Sequence, residues 1–253
     1  MDSGTDIGGH AIAVVGAASG IGRATATRLA QAGALVSCLD RDADGARTTA
    51  KQLSDEGHTA SAVVLDVTDD GSVTRAVIEA ETAHGPLRAL VNCAGMTGIT
   101  GHPSHEVEVE DFDTVYRTNL RGAFLLSRSV IPRMVEQGYG RVLHIASIAG
   151  KEGNAGMVAY SATKAGLIGM VKAQGKEYAE TGVTVNALAP AVIYTPMVDA
   201  MPQAQVDYMT EKIPMHRLGR LEEAAELIAW IVSPACSFTT GFTFDLSGGR
   251  AVY

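Results

Sequence analysis

Cysteine is sparse in this chain of 253 residues and follows no pairing pattern: Cys38, Cys93 and Cys236 are odd in number and have no C-x-x-C spacing. Such a set excludes a disulfide framework and a thiolate zinc site, and it leads to the expectation of a reducing, cytoplasmic setting. Also missing is any apolar run near the ~18 residues of a membrane-spanning helix, so no membrane anchor is expected. Positive charge is in deficit, with 20 Lys and Arg against 28 Asp and Glu, and the basic residues are scattered rather than striped. A net charge of −8 repels a phosphate backbone, which argues against nucleic acid as a partner. Met1–Gly9 lacks the basic and apolar regions of a secretion signal and reads as a flexible N-terminal arm.

What the chain does have is apolar side chain, 46% of residues against 19% charged, enough to bury a large core. No Pro/Gly/Ser-rich linker, fixed-period repeat or low-complexity tract divides residues 10–253, which read as one domain. Short β-rich runs alternate with longer segments of helical period. Strands are predicted near Ala11–Val15, Leu35–Asp40, Ala60–Leu65, Leu90–Asn92, Arg141–Ala146, Thr184–Leu188 and Phe242–Asp245. Helices are predicted over Gly20–Ala32, Ala43–Glu56, Gly71–His84, Val109–Gln137, Val158–Glu180 and Leu221–Ser233. Right-handed crossovers then give an α/β fold: a doubly wound, Rossmann-type sheet of seven parallel strands with helices on both faces. Two loops exceed what such a fold needs, Met96–Glu108 and Ala189–Arg220. The second holds a lid-like insertion around 195–219, and long loops at strand C-termini usually serve ligands.

Directly after the first predicted strand comes Gly16-Ala17-Ala18-Ser19-Gly20-Ile21-Gly22, which leads into a helix. Glycines at 16 and 20 permit tight backbone angles and Gly22 permits close helix–sheet packing, while the helix start offers free N–H groups to a pyrophosphate. Alone, the segment could be an ordinary turn. Asp40 ends the second strand 24 residues after Gly16, where a carboxylate can accept hydrogen bonds from both adenosine ribose hydroxyls and repel a 2′-phosphate. That favours NAD over NADP, although Arg41 could in principle grip a phosphate. Asp66 and Val67 either cap the adenine edge or simply lead into Thr68-Asp69-Asp70 as a helix N-cap.

Tyr160 and Lys164 stand four apart in an apolar helical run, so their heads can converge. An ammonium near a phenol favours the phenolate, which is otherwise scarce at neutral pH because a phenol titrates near ~10. Ser147 follows the fifth strand, 13 residues before Tyr160, and can hold a substrate oxygen as its charge changes.

The segments Gly16–Gly22, Asn92-Cys93-Ala94-Gly95, Asn119, Ser147, Tyr160-Ser161-Ala162-Thr163-Lys164 and Pro190–Thr195 together resemble the short-chain dehydrogenase/reductases, in order and over essentially the whole chain. The resemblance implies that Tyr160 removes the alcohol proton, Lys164 lowers its pKa and binds the nicotinamide ribose, Ser147 positions the reacting oxygen, and Asn119 anchors a relay water. It further implies that Asn92, Ala94 and Gly95 wall the cofactor, that Pro190, Ala191, Ile193 and Thr195 hold the nicotinamide amide, and that the protein is a homotetramer. Three positions depart from the family pattern. Val15 replaces a usual Thr and forfeits a hydroxyl that would brace the Asn92–Gly95 turn, Cys93 replaces an Asn, and Ala191 replaces a Gly.

His102 and His105, three apart, resemble a zinc pair, but with no evident carboxylate or Cys partner they read as a surface loop, and no metal is expected. His144, in a central strand, reads as a satisfied core histidine. Met197, Met201, Met209 and Met215 cluster in the second long loop, as a flexible lid or as core filling. The stretch from Ser147 to Asn154, with Ala189–Met197, is similar to family members that oxidise 2-keto-3-deoxy sugar acids, and Lys151 and Asn154 could serve a small polar acid. Aromatics at 5% supply little for a sterol face. The expected function is hydride transfer between NAD and a secondary alcohol or ketone; a 3-oxoacyl-thioester or hydroxysteroid substrate is the alternative. A non-catalytic dinucleotide sensor would have no need of Ser147, Tyr160 and Lys164 together.

Overall fold

The computed structural model describes residues 6–195 and 203–251. In chain order its elements are β1 (Ala11–Val15), α1 (Gly20–Gln31), β2 (Leu35–Asp40), α2 (Ala43–Asp55), β3 (Ala60–Val64), α3 (Asp70–His84), β4 (Leu87–Asn92) and α4 (Val109–Tyr116). A π-helical turn, Arg117–Arg121, leads into α5 (Gly122–Glu136). Then come β5 (Gly140–Ile145), α6 (Ala149–Glu152), α7 (Val158–Glu177), β6 (Val183–Pro190), α8 (Gln203–Glu211), α9 (Leu221–Ile231) and β7 (Thr243–Leu246).

The strands form one parallel sheet of seven in the order β3-β2-β1-β4-β5-β6-β7. Every residue of β1, β5 and β6 is buried, as a central parallel strand covered on both faces requires. Period-two alternation divides β1 between two cores. Ala11, Ala13 and Val15 join side chains of α3, α5 and α7, such as Val77, Leu126 and Leu167. Ile12 and Val14 join Leu29, Leu53 and Ile228 from α1, α2 and α9. Chain order reverses between β1 and β4, and a doubly wound sheet opens its binding crevice at the C-terminal ends of such a pair.

The strand count, order of elements and helix placement match the sequence reading, with local differences that have physical reasons. The helix expected over 109–137 is interrupted at 117–121, just before Gly122, which meets Val67 so closely that a Cβ would lie 3.0 Å from its side chain. The π turn is placed there, and single π turns often mark functional sites. The four residues of α6 are too few to leave a periodic signal, and Ser147 Oγ starts them by accepting from Ala149 N at 3.1 Å. Within the arm expected over residues 1–9, Ile7 is instead 1% exposed in the core and Gly9 N donates to Gly33 O at 2.9 Å, while residues 1–5 lie outside the described residues. Asp69 caps α3, accepting from Gly71 N at 2.8 Å, as one reading of that segment expected. A cap of this kind is worth about 1 kcal/mol.

Candidate active site

The glycine turn is bound to the end of β2, for Leu39 O accepts from Gly16 N at 2.8 Å and from Ala17 N at 3.2 Å. Gly16 has φ +81°, and a Cβ there would come within 3.0 Å of the Cys93–Ala94 backbone. At Gly22 a Cβ would lie 2.0 Å from Gly16 O, so only glycine lets α1 begin this close to β1. Ser19, the N-cap of α1, makes no side-chain cap, which leaves first-turn N–H groups available for an anion.

These pieces line a cleft of about 520 Å³. Of the candidate cofactor residues, Gly16, Ser19, Gly20, Ile21, Gly22, Asp40, Arg41, Asp66, Val67, Ala94, Gly95 and Thr195 form its lining. Asp40 spends one acceptor position of each oxygen on the protein, taking Ala18 N at 2.9 Å and Asp42 N at 3.0 Å, and a carboxylate has more to give. Asp66 Oδ1 is occupied by the amide and hydroxyl of Thr68, at 2.8 and 2.7 Å.

Of the other six, Tyr160 and Lys164 belong to the acid/base group beside the cleft, and Asn92, Pro190, Ala191 and Ile193 are not part of that lining. Pro190 O accepts from Ile148 N at 3.1 Å, Ala191 N donates to Leu246 O at 2.9 Å, and Ile193 bridges to Gly219. Ala191 needs no glycine, because among described residues other than glycine only His216 has a positive φ. Asn92 Oδ1 accepts from Ala94 N at 3.1 Å, and Val15 O accepts from Cys93 N at 2.9 Å. The turn that Val15 was expected to leave loose is thus braced by main chain and by Asn92. Cys93 lines the cleft too, as do Met96 and Thr118, which were not singled out from sequence. Met96 directly follows the Asn92–Gly95 segment, and that adjacency was the available signal.

Beside the cleft, the ends of β5, α5 and α7 bring the acid/base candidates together. Lys164 is 4% exposed, its Nζ donates to Ile145 O at 2.6 Å, and it lies 5.6 Å from the Tyr160 ring centre. A Cβ on Gly95 would sit 3.3 Å from both Lys164 Nζ and Asn119 Oδ1, so this glycine keeps space open next to the ammonium. Burial lowers the Lys164 pKa to about 8, against a smaller upward pull from Cys93. Tyr160 corrects an expectation. Its pKa lies above the ordinary phenol value, because burial outweighs the lowering effect of the Ser147 hydrogen bond, while the ammonium is held back at the Ile145 carbonyl.

Asn119 sits on the π turn and clamps the Met96 peptide from both sides, accepting from Met96 N at 2.9 Å and donating to Met96 O at 2.8 Å. Its NH2 also reaches Thr163 Oγ1 at 3.2 Å, linking the turn to α7 one residue before Lys164. His144 is a satisfied core histidine: it is fully buried, with Asn92 on Nδ1 at 3.2 Å and Ser127 on Nε2 at 2.9 Å.

The polar groups expected to face a substrate acid are engaged elsewhere. Lys151 Nζ pairs with Asp245 at 2.8 Å, and Asn154 Oδ1 accepts from Arg250 at 3.3 Å, an arginine also paired with Glu152 at 3.0 Å. His102 and His105 are exposed near Glu106, and among the described residues no group of three His, Cys, Asp or Glu could hold a metal. Met197 and Met201 lie outside the described residues; Met215 is 64% exposed, so it does not fill the core. No described helix is long and apolar enough to cross a membrane.

A family model described as enoyl-(acyl carrier protein) reductase matches residues 16–251. The chain is 45% identical to the 2-dehydro-3-deoxy-L-rhamnonate dehydrogenase (NAD(+)) of Sphingomonas sp. (strain SKA58), covering 97% of this chain and 96% of that protein. It is 34% identical to the 3-oxoacyl-[acyl-carrier-protein] reductase of Thermotoga maritima, covering 96% and 98%. Among solved structures, the crystal structure of gox2181 superimposes with a TM-score of 0.95 at 31% identity, covering 99% of this chain and 98% of that one.

Proposed function

The chain belongs to the short-chain dehydrogenase/reductase family, and from that premise we propose that it is an NAD-dependent oxidoreductase acting on the secondary alcohol of a 2-keto-3-deoxy sugar acid, or on the corresponding ketone. One observation carries the chemistry: Ser147, Tyr160 and a buried Lys164 meet beside a cleft that a glycine turn and Asp40 shape for a dinucleotide. The 45% identity to an NAD(+) dehydrogenase of a deoxy sugar acid, across nearly the full length of both chains, supports the cofactor and the substrate class.

NAD, when bound, supplies the hydride acceptor for alcohol oxidation. Gly16, Ser19, Gly20, Ile21 and Gly22 would cradle its pyrophosphate, with Asp40 on the adenosine ribose and Arg41, Asp66 and Val67 around the adenine. Asn92, Ala94 and Gly95 would wall the cleft, and Pro190, Ala191, Ile193 and Thr195 would hold the nicotinamide end.

Ser147 Oγ accepts from Ala149 N, which leaves its hydroxyl hydrogen free for the Tyr160 oxygen or a substrate oxygen. Tyr160 takes the alcohol proton in oxidation and returns it in reduction. Lys164 has two N–H groups beyond the one given to Ile145; with NAD bound they would hold the nicotinamide ribose and support the phenolate. Asn119 Oδ1 keeps a lone pair to anchor a water that carries the proton outward.

A 3-oxoacyl thioester is the second reading, supported by the 34% relative. Following the NADH absorbance band with deoxy sugar acids, 3-hydroxyacyl thioesters and hydroxysteroids, each with NAD and NADP, separates the readings. NAD binding with no turnover on any of them points to a sensor.

The assembly reading is a homotetramer, supported by two separate exposed apolar faces. One runs from Trp230 on α9 through Phe244 of β7 to Phe242, at the open sheet edge; the other carries Phe112, Tyr116 and Phe124 on α4 and α5. Exposed aromatics grouped in this way suit isologous contacts. A cytoplasmic location fits three free thiols, and residues 10–253 would act as one catalytic domain; the lid-like insertion expected around 195–219 lies partly outside the described residues.

A further inference from the structure

Beneath the wall of the cleft runs a line of three hydrogen bonds whose directions can all be worked out. Ala94 N lies 3.1 Å from Asn92 Oδ1, Asn92 Nδ2 lies 3.2 Å from His144 Nδ1, and His144 Nε2 lies 2.9 Å from Ser127 Oγ. A peptide N–H can only donate, so the Asn92 atom facing Ala94 is its oxygen and the one facing His144 is its NH2. An NH2 likewise only donates, so His144 Nδ1 accepts and carries no proton. The proton of the neutral ring is therefore on Nε2, with Ser127 Oγ as its acceptor. A second ring proton would set two donors against each other in a fully buried site. Consistently, burial and the Lys164 charge push the His144 pKa down to about 3.

We propose that His144 is a positioning residue for the cofactor: as the neutral Nε2–H tautomer it fixes the Asn92 amide, which holds the Ala94 amide and so sets the Cys93–Gly95 wall of the cleft. This rests on the reading of that cleft as the NAD site. His144 itself contacts no part of the reaction. Its influence passes through Asn92, as outer partners of a site act by orienting the groups that touch the ligand.

Two substitutions separate positioning from simple packing. In H144N the asparagine oxygen takes the place of Nδ1 and can still accept from Asn92; in H144L nothing can. Both lose the bond to Ser127, so both lower Tm. NAD titrations monitored by fluorescence should show affinity weakened about tenfold in H144L, as for a polar group left unpaired, and by less than about twofold in H144N. Equal weakening in both, or none in H144L, overturns the proposal. An independent check is the 15N spectrum of the imidazole in the unsubstituted protein, where Nδ1 should be unprotonated and Nε2 protonated. The opposite tautomer overturns the proposal even if neither variant folds. Failure of the unsubstituted protein to bind NAD would instead remove the cofactor reading, with the tautomer result standing apart.

Discussion

The ammonium of Lys164 on α7 donates to the carbonyl of Ile145, the last residue of β5, at 2.6 Å. This bond ties the helix that carries Tyr160 to the strand that delivers Ser147 two residues later, so three groups from separate parts of the chain are held in one frame. The charge is buried, and its position beside Gly95 places it against the cleft wall. Predictions follow from that frame.

Replacing Tyr160 with Phe removes the proton carrier and keeps the ring. Turnover should fall by about 10²- to 10⁴-fold, the usual contribution of general acid–base catalysis, with the Kd for NAD unchanged. Steady-state rates and a binding titration check both halves. A near-normal rate would take Tyr160 out of the mechanism.

Oxidation and reduction should respond to pH in opposite directions. Alcohol oxidation needs the phenolate, and burial raises the Tyr160 pKa, so its rate should climb from pH 6 toward about 8. Reduction needs the phenol and should be favoured at the acid end of that range. Lys164 titrates at about 8 in the folded protein, and above that pH the charge supporting the phenolate is lost, so oxidation should level off. Rate profiles in both directions test this; parallel profiles would contradict it.

Asp40 to Asn removes the negative charge and keeps one oxygen for Ala18 N, at the expense of the acceptor for Asp42 N. Discrimination of NAD over NADP should narrow by about 10- to 100-fold, chiefly through a lower KM for NADP, because a like-charge contact costs several kcal/mol. The ratio of kcat/KM values for the two cofactors is the measurement.

Gly22 to Ala forces a methyl to within 2.0 Å of Gly16 O. The protein should lose about 1–3 kcal/mol, the usual cost of overpacking, and NAD affinity should fall as the turn shifts. Denaturant titration and NAD binding are the checks. Unchanged stability would mean that α1 can move away from the turn.

How far these features could be read from sequence depends on the range of the contacts. Gly16–Gly22, Asp40 and the Tyr160–Lys164 spacing are local patterns: the fold puts the glycines and Asp40 on the lining of one cleft and carries Tyr160 and Lys164 on one helix. The alternation of strands and helices likewise gave the sheet and both of its covered faces. Partners distant in the chain were not legible. Lys151 looked available for a substrate acid until folding paired it with Asp245, and the Asn92–His144–Ser127 line joins β4, β5 and α5. Tyr160 shows the same limit in electrostatics. The spacing to Lys164 led to the expectation of a lowered pKa, whereas in the folded chain burial raises it and the smaller lowering influence comes from Ser147, a balance only the packed structure supplies.

NADH formation from a 4-hydroxyl-bearing 2-keto-3-deoxy sugar acid is the decisive measurement, with NADP and a 3-hydroxyacyl thioester measured alongside. The proposed function requires rapid absorbance growth with the sugar acid and NAD, and little with NADP or the thioester. No growth with any sugar acid, together with clear turnover of the thioester, would contradict it.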